Sequence, residues 1–320
     1  MQIYRNLSQL PKDFGPCIAS IGNFDGVHRG HQSILRGVCE RARALGMRSI
    51  AISFDPHPMR ILQPEKAPLL LAPLGERLRL LQRVGLDATL LLDFTPELAE
   101  KSAHAFAADI LRDALHLREL HEGPDFRFGR HAEAGMSDLA ELGRKMGFEV
   151  VPHPKLFHRG LPVSSSNIRA LVTAGEVKKA RWLLGHPFAL LSSQIRGRGV
   201  GTKLLVPTIN LIPHKEIMPA NGVYLTWLRI GEQEFESVTN IGVRPTFGEL
   251  ELAIEVHLLD FRELELTPEM PLELSFLDRL REEQRFESHV ELKTQILQDV
   301  AQAQRYFRLA RRLVQRENFL

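Results

Sequence analysis

The sequence predicts two domains in one chain of 320 residues: a doubly wound α/β sheet, then a small antiparallel barrel or sandwich with a C-terminal helix. Two observations lead to this prediction. Short apolar runs alternate with helical stripes through the first half, which is typical of parallel strands joined by helices. Beyond residue 186 the segments become short, β-branched and bounded by turn residues, which is typical of antiparallel strands. We therefore predict domains over 1–185 and 186–320.

The first half repeats a strand–helix–strand pattern. The apolar run CIASIG (17–22) ends in glycine, an apolar stripe at helical spacing follows up to Gly46, and SIAISF (49–54) is a second strand candidate. This order implies a parallel pair joined by a right-handed crossover. The segment LRELHEG (117–123) is expected to lead into a loop. The remaining elements are predicted helices over 76–85, 102–115 and 137–147 and predicted strands over 87–94 and 148–154.

The second half begins after a stretch over 168–188 that is predicted to be helical. Asn221-Gly222 and Gly231 stand where turns are expected. The tail returns to helical spacing, with one predicted apolar face of Phe286, Val290, Ile296, Leu297, Val300 and Phe307. The strand candidates are 188–195, 206–212, 222–230, 235–243, 253–261 and 271–276.

The composition gives no reason to expect a nucleic acid or a membrane as a partner. The net charge is +2, from 41 Lys+Arg and 39 Asp+Glu, which gives no electrostatic reason to expect nucleic acid or a membrane surface. No stretch approaches the roughly 20 apolar residues that span a bilayer, and the first residues do not resemble a signal peptide. Cys17 and Cys39 cannot build a disulfide framework, so we expect a cytoplasmic protein.

The stretch GNFDGVHRGHQSIL (22–35) predicts an anion site. A helix that starts directly after a strand and a tight loop presents free backbone N–H groups and the positive end of its dipole. Gly26 and Gly30 allow a ligand close to the backbone, and His28 and His31 fall on one side of the first turn. Two imidazoles there could donate hydrogen bonds to a phosphate. The ordinary alternative is a pair of surface histidines, and a metal site lacks a third ligand at suitable spacing.

Several ordered motifs make the chain similar to a known family. The His-x-Gly-His pattern after a first strand resembles the nucleotidyltransferase superfamily, whereas the phosphate-loop and dinucleotide glycine signatures are absent. The whole set resembles the bacterial bifunctional riboflavin kinase/FAD synthetase family. The motifs are GNFDGVHRGHQ (22–32), SFDPHP (53–58), DFRFG (125–129), SSSNIR (164–169), VPTINL (206–211), NGVY (221–224), NIGVRPTF (240–247), IEVHLLDF (254–261) and LREEQRF (280–286).

The resemblance implies a nucleotidyltransferase-like first domain that acts as an FMN adenylyltransferase. His28 and His31 are then expected on the α- and β-phosphate oxygens of ATP, and Arg169 in a second anion clamp. The loop DFRFG, with Asp125, Phe126 and Phe128, is expected near FMN, although its ordinary interpretation is a loop anchored by buried phenylalanine. The further nucleotide-binding residues implied are Gly22, Asn23, Phe24, Asp25, Gly30, Ser164 and Ser165.

The resemblance implies a second domain that is a riboflavin kinase with a small antiparallel barrel. A glycine-rich loop of Gly197, Gly199 and Gly201 is expected to wrap phosphates. Thr208 and Asn210 lie two apart on a predicted strand, so both face one side and offer oxygen ligands suited to Mg²⁺. Glu255 is the expected general base, although a carboxylate alternating with apolar residues is ordinarily a solvent-facing strand residue. Arg281 of the last motif is expected near the flavin.

The second half also departs from the family pattern. Thr202 stands where an arginine is usual, Leu205 where a glycine is usual, and Ile209 where an alanine is usual. The leading hypothesis is an enzyme that converts riboflavin to FMN and FMN to FAD, with ATP and Mg²⁺. The alternatives are an FMN adenylyltransferase with a weakened or inactive kinase-like barrel, and a silent flavin carrier, against which the retained phosphate-side residues argue. Riboflavin, FMN and ATP are the expected partners of a monomer or weak homo-oligomer.

Overall fold

The computed structural model describes residues 1–12, 14–195, 208–213, 215–246, 249–259, 267 and 270–317. Contacts divide the chain into two compact units, Met1–Ser165 and Ser166–Leu320. This division falls earlier in the chain than the predicted boundary at 185/186, which stays a prediction. Among the described residues, no helix combines the length and the apolar character required to cross a bilayer.

The first unit is built on a parallel sheet. In the described part of the chain this sheet has six strands in the order β1-β4-β3-β2-β5-β6, and every pairing is parallel. The predicted doubly wound α/β class is confirmed. The strands are β1 Gln2–Tyr4, β2 Cys17–Ile21, β3 Arg48–Asp55, β4 Ala88–Asp93, β5 Leu117–Glu122 and β6 Glu149–Pro152, and a small hairpin follows with β7 Phe157–His158 and β8 Leu161–Pro162.

The strand order reverses at β2. From β2 the chain proceeds outward through β3 and β4, and then it returns to form β5 on the other side of β2. In open α/β sheets the ligand crevice lies at the carboxyl ends of the two strands that flank such a reversal. The residues that follow Ile21 and Glu122 are therefore the expected ligand-binding loops of this unit.

Helices cover both faces of the sheet. The helix α1 ends at Gly46, which has a positive φ of 64° and caps it, as predicted. The predicted helix over 102–115 forms as α5, which continues directly as a π-helix over Ala107–Ala114. The helices are α1 Arg29–Leu45, α2 Pro58–Leu62, α3 Leu74–Val84, α4 Pro96–Ala99, α5 Ala103–Phe106 and α6 Met136–Met146.

The strand β5 differs from its sequence-based prediction. A strand buried in a parallel sheet ordinarily reads as a continuous apolar run. β5 instead carries Glu119, His121 and Glu122, which are 5%, 4% and 3% exposed. Because these polar residues interrupt the apolar run, the sequence pattern did not indicate a strand here. In the structure each of the three side chains has hydrogen-bond partners.

The second unit is built on an antiparallel sheet. Its strand order, over the residues that the structure describes, is β10-β11-β14-β13-β12-β15-β9. This arrangement, with a helix at its C-terminal end, confirms the predicted second architecture. The strands are β9 Phe188–Ser192, β10 Gln194–Ile195, β11 Thr208–Leu211, β12 Gly222–Ile230, β13 Gln233–Thr246, β14 Glu249–Leu258 and β15 Leu272–Glu282.

The helices of this unit correct two predictions. The stretch over 168–188 forms two helices, α7 Ser165–Thr173 and α8 Val177–Leu184, because Gly175 lies between them at a φ of 77°. A Cβ at Gly175 would lie 2.9 Å from the hydroxyl oxygen of Tyr224, so only glycine fits this turn.

The C-terminal helix α9, His289–Glu317, confirms the predicted apolar face only in part. Asp299, Ala303 and Phe307 are buried, whereas Val290 and Leu297 are 74% and 53% exposed. On this face Asp299 pairs with an arginine on the neighbouring strand β15, and Ala303 and Phe307 pack against the apolar residues of the sheet. A rule that counts only apolar residues cannot include an aspartate in the buried face.

Candidate active sites

The loop after β2 is held in a strained conformation. It runs from Gly22 through the 3₁₀ turn Asp25–Val27 to the start of α1. Phe24 and Val27 have positive φ angles of 47° and 35°, which is unusual for a bulky and for a β-branched residue. Strain of this kind persists only where surrounding contacts fix it, and it is concentrated at functional sites.

Asp25 supplies one of those contacts. Its carboxylate is buried and accepts hydrogen bonds from the backbone N–H groups of Leu71 and Ala72, each at 3.0 Å. Its backbone carbonyl accepts a hydrogen bond from the Ser165 hydroxyl at 3.2 Å. Asp25 was predicted as a nucleotide-binding residue, and these contacts give it a role in holding the loop.

Arg77 supplies a second contact that the sequence did not reveal. Its guanidinium is buried and donates to the backbone carbonyl of Asn23 at 3.0 Å and to that of Phe54 at 2.8 Å. These carbonyls lie at the carboxyl ends of the adjacent strands β2 and β3. Arg77 therefore clamps the predicted nucleotide loop to the motif SFDPHP. Its only sequence signal was an arginine on the apolar side of a predicted helix.

The two predicted histidines are stacked at the start of α1. Their ring centroids are 3.6 Å apart and the ring planes differ by 13°. His28 caps the helix, because its Nδ1 accepts a hydrogen bond from the backbone N–H of His31 at 3.2 Å. A Cβ at Gly30 would lie 3.1 Å from the His28 ring, so this glycine makes room for the stack. The edge of Phe24 packs against His31 at a centroid distance of 5.3 Å.

His31 has the electrostatics of a ligand-binding group. Its buried Nδ1 has no hydrogen-bond partner within the described part of the chain. Burial lowers the pKa of His31 well below its ordinary value, and the neighbouring His28 lowers it further. The ring is therefore neutral, with one polar atom that a ligand could satisfy. An unpaired buried polar atom costs about 1–3 kcal/mol, which a bound anion or its hydrogen-bonding equivalent would offset.

Glu122 closes the crevice from the β5 side and was also missed. Its Oε1 accepts hydrogen bonds from the backbone N–H of Ile21 at 2.5 Å and from the Ser20 hydroxyl at 3.4 Å. Burial raises the pKa of this carboxyl well above its ordinary value, although these hydrogen bonds act in the opposite direction. Burial therefore favours the protonated form of Glu122, and its hydrogen bonds hold the last residues of β2 in position.

The loop DFRFG follows β5 at the same edge of the sheet. Phe128 is 8% exposed and packs in the core against Phe106, with ring centroids 6.1 Å apart. Phe126 is partly buried and stacks on Phe128 at 5.5 Å, and Asp125 is exposed and pairs with Lys155 at 2.8 Å. Phe128 therefore anchors the loop, while Asp125 and Phe126 are the accessible members of the predicted flavin-binding set.

The motif SSSNIR forms the start of α7. Ser165 is the first residue of this helix, and its hydroxyl contacts the loop carbonyl described above. Ser164 precedes it, and Arg169 lies four residues further along the same helix and is half-buried. The predicted hydroxyl-and-arginine set thus lies within and just before the first turns of one helix.

Strand register brings the predicted kinase residues together in the second unit. Asn210 on β11 lies opposite Glu255 on β14, which in turn lies opposite Asn240 on β13. Thr208 lies opposite His257, so all five residues share one face of the sheet. The flanking Ile254 and Val256 are buried on the other face. Asn240 was not predicted, because only the register of three strands reveals its place in this row.

The remaining predicted residues of this unit are of two kinds. Gly197, Gly199 and Gly201 lie outside the described residues, as do the departures Thr202 and Leu205. Arg281 is described, and its guanidinium forms a bidentate pair with the buried Asp299, with an Nη2–Oδ2 distance of 2.8 Å. This arginine therefore attaches α9 to β15.

Comparison with known proteins assigns both units. A family model of FAD synthetase matches residues 10–167, and a family model of riboflavin kinase matches residues 184–307. The bifunctional riboflavin kinase/FMN adenylyltransferase of Escherichia coli strain K12 is 35% identical over 96% of this chain and 97% of its own length. The protein of that name from Pseudomonas fluorescens is 40% identical over 95% of this chain and 97% of its own length.

A solved structure has the same fold. The crystal structure of a protein described as a macrolide-efflux protein from Streptococcus pneumoniae matches with a TM-score of 0.83 and 28% identity, over 93% of this chain and 96% of that one. The fold and the two domain matches define a transferase with a nucleotidyltransferase domain followed by a kinase domain. The chain belongs to the bifunctional riboflavin kinase/FMN adenylyltransferase family.

Proposed function

We propose that the first unit transfers AMP from ATP to FMN through the loop between β2 and α1, and that the second unit phosphorylates riboflavin through the row on β11 and β14. The observation that carries the first assignment is the stacked pair of His28 and His31. The buried Nδ1 of His31 has no hydrogen-bond partner among the residues that the structure describes. For the second assignment, the observation is the cross-strand pairing of Asn210 with Glu255.

In the adenylyl transfer, a phosphate oxygen of FMN attacks the α-phosphorus of ATP. A new phosphorus–oxygen bond forms, the bond from the α-phosphorus to the bridging oxygen breaks, and pyrophosphate leaves. Negative charge on the transferring group and on the leaving group must be stabilised at that moment. His28 and His31 are proposed to donate N–H groups to these oxygens. A neutral His31 ring can also take a proton as charge accumulates beside it.

The surrounding contacts determine how well that step is positioned. Arg77 fixes the backbone of Asn23, Asp25 fixes the turn that follows, and Glu122 fixes the end of β2. Because these groups bind the backbone of the loop, they are proposed to preorganise the site. Ser164, Ser165 and Arg169 are proposed for a second set of phosphate contacts, with Arg169 suited to bidentate binding.

In the kinase reaction, the 5′-hydroxyl oxygen of riboflavin attacks the γ-phosphorus of ATP and ADP leaves. Glu255 is proposed to accept the hydroxyl proton as the new bond forms. Asn210 lies directly opposite Glu255, and Thr208 lies on the same face of β11. The base and the oxygen ligands are therefore carried on adjacent strands, whose hydrogen-bonded register holds them at a fixed spacing.

The donor set on β11 suits Mg²⁺. The Thr208 hydroxyl and the Asn210 amide oxygen are hard oxygen ligands, and Mg²⁺ bound with a nucleotide usually takes only one or two protein ligands. These two residues are proposed to hold the ion. Bound there, Mg²⁺ would neutralise charge on the transferring phosphates.

The cellular setting is proposed from the chemistry of the chain. Both cysteines are free thiols, and burial raises the pKa of Cys17 to about 12, so it is inert. We propose a cytoplasmic enzyme that acts as a monomer or weak homo-oligomer. Light scattering during size-exclusion chromatography would measure the mass in solution, and a stable tetramer or larger assembly would contradict this.

The experiment is a chromatographic time course of the purified protein with ATP and Mg²⁺, run once from riboflavin and once from FMN. We expect riboflavin to pass through FMN into FAD. If only the FMN reaction gives FAD, the first unit acts alone. Thr202 and Leu205 are then the first residues to replace, with the arginine and the glycine that are usual at these positions in the family. If neither reaction proceeds, both assignments are wrong.

A further inference from the structure

A cleft on the first unit lies outside the site described above. It is an open groove of about 530 Å³, a volume within the range of small-molecule sites. One wall is a stripe of α1 that contains Arg29, Ser33, Arg36 and Glu40. The other wall comes from the segment after β6 and includes His153 and His158. The α1 wall carries two guanidinium groups and one carboxylate, so the charge of the cleft lining favours an anion.

The helical period separates this cleft from the adenylyl-transfer site. On α1, His31 lies on the same stripe as Leu35 and Val38, which are buried in the core. Arg29 and Arg36 lie about half a turn away from that stripe, on the other side of the helix. A ligand in the cleft therefore does not occupy the position proposed for the phosphates of ATP.

A buried relay ends at His153 in the cleft wall. The Arg41 Nε donates to both carboxylate oxygens of Glu119, at 2.8 and 2.9 Å. The Nε2 of His121 lies 3.3 Å from Glu119 Oε2, and its Nδ1 lies 3.0 Å from Nε2 of His153. A half-buried histidine is thus connected to a buried carboxylate through a second, buried histidine.

The partners in this relay fix the position of each proton. The carboxylate of Glu119 can only accept, so the Nε2 of His121 carries the hydrogen that it donates. Burial lowers the pKa of His121, which keeps the ring neutral and makes its Nδ1 an acceptor. The Nε2 of His153 must then be the donor. The Nδ1 of a neutral His153 is left with a lone pair, which can accept a hydrogen bond.

The sequence gives up helix stability to build this arrangement. Gly37 lies in the interior of α1, where glycine costs about 1 kcal/mol relative to alanine. A Cβ at this position would lie 3.1 Å from Cε1 of His153 and 3.6 Å from Nδ1 of His121. Glycine therefore lets both imidazoles approach the helix. A glycine that admits two imidazoles to the helix, a chain of hydrogen bonds to a buried carboxylate, and two arginines meet at one cleft. This combination indicates a ligand-binding site.

We propose that this cleft binds a phosphate group that still carries a proton, either as inorganic phosphate or as a phosphomonoester. Arg36 and Arg29 donate to the charged oxygens, and the protonated oxygen donates to the Nδ1 of His153. Sulfate has a similar size and charge but has no proton to donate at neutral pH. The relay therefore discriminates against sulfate, because the lone pair on Nδ1 of His153 would face an unprotonated sulfate oxygen.

The test follows the ring signals of ¹³C-labelled histidine by NMR in the full chain. His153→Gln and His31→Gln assign the two relevant signals by their disappearance. Inorganic phosphate, phosphoserine and sulfate are titrated separately at about pH 6, near the second pKa of a phosphomonoester, where phosphate and phosphoserine both retain protonated forms and sulfate does not. We expect the His153 signal to move saturably with inorganic phosphate, phosphoserine or both, with the tighter of the two identifying the source. Sulfate should shift it at least about tenfold more weakly, as expected for one lost hydrogen bond to a charged group.

Two variants locate the effect. Arg36→Gln should weaken the phosphate-induced shift of His153 at least about tenfold, because it removes a charge-assisted contact. Arg43→Gln, which makes the same charge change on the same helix outside the cleft, should leave the shift as in the wild type. Both variants should form FAD normally, and shifts of His31 report the other site separately. Equal responses to sulfate and phosphate, no saturable shift, or equal effects of the two arginine variants would overturn the proposal.

Discussion

The two units position their proposed reactive groups by different means. In the first, the histidines stand at the start of α1, directly after the loop that follows β2, and buried side chains from distant segments hold that loop. In the second, Asn210 and Glu255 stand on paired strands, and the backbone ladder sets their spacing. The first site therefore depends on tertiary polar contacts, whereas the second depends on register. Substitutions away from the chemistry should consequently damage the first site more than the second.

The largest expected effect is in the second unit. Glu255→Ala should lower FMN formation from riboflavin by about 10²- to 10⁴-fold, because a positioned general base contributes that much. FAD formation from FMN should be unchanged. Initial rates of both reactions measure this, with Glu232→Gln, an exposed turn residue, as the control. Loss of both activities in a folded protein would contradict the proposed division of labour.

His31→Ala should have the opposite selectivity. FAD formation from FMN should fall by about 10²- to 10³-fold, because one donor to the developing charge is lost. FMN formation from riboflavin should continue at the wild-type rate. The matched control is His104→Ala, which removes an exposed helical histidine of the same unit. If FAD formation survives in His31→Ala, the histidine pair does not contact the reacting phosphates.

Arg77→Ala tests whether the loop site depends on its distant clamp. The carbonyls of Asn23 and Phe54 would each lose a donor, so we expect the first unit to lose roughly 2–4 kcal/mol of unfolding free energy. FAD formation should fall about tenfold, through kcat more than KM, because substrate contacts remain while their alignment is lost. Chemical denaturation and steady-state kinetics measure both quantities.

The control for this variant is Arg83→Ala, at the exposed end of the same helix. It should change neither stability nor rate by a measurable amount. If Arg83→Ala and Arg77→Ala behave alike, the buried clamp has no special role, and the contrast between the two units fails. Riboflavin kinase activity serves as an internal reference in both proteins.

Asn210→Ala should weaken only the kinase reaction, by about tenfold in the Mg²⁺ concentration required for half-maximal rate, because one oxygen ligand is lost. The register of β11 with β14 involves backbone groups, so the fold should be unaffected. A magnesium titration of FMN formation measures the change. An unchanged magnesium requirement would remove Asn210 from the metal site.

Glu122→Gln is expected to have the smallest effect. This effect is a change in how the free energy of unfolding depends on pH. The raised pKa means that the folded state keeps a proton that the unfolded chain releases near its ordinary value of about 4.3. The unfolded state then binds fewer protons, so stability falls as pH rises above that value toward the folded-state pKa. Glutamine keeps the carbonyl acceptor for Ile21 and removes the titration, so the variant should lack this decline.

Denaturation midpoints of this variant from about pH 4 upward through the neutral range would measure the difference. Glu149→Gln, on an exposed position of β6, is the comparison. If the wild type and Glu122→Gln show parallel pH profiles, the buried carboxyl is not held protonated in the folded state.

The sequence predicted those features that depend on local pattern. The alternation of strands and helices predicted the first architecture, and the short segments bounded by turn residues predicted the second. Residue spacing predicted that His28 and His31 lie on one side of a helix, and that Thr208 and Asn210 lie on one face of a strand. It missed Arg77, Glu122 and Asn240. Each of these acts through a partner that is distant in sequence, and no periodicity encodes that partner. The predicted face of α9 was right at Phe307 and wrong at Val290 and Leu297, and it left out Asp299, which pairs with Arg281.

That pairing has a consequence for dissecting the chain. Asp299 and Arg281 are 7% and 18% exposed at their side chains, and Ala303 and Phe307 cover Val223 and its apolar neighbours on the sheet. A shortened protein that ends before α9 would leave a half-buried guanidinium without its counter-charge and an apolar face open to water. The C-terminal helix is thus an integral wall of the kinase unit, and any autonomous version of that unit must retain it.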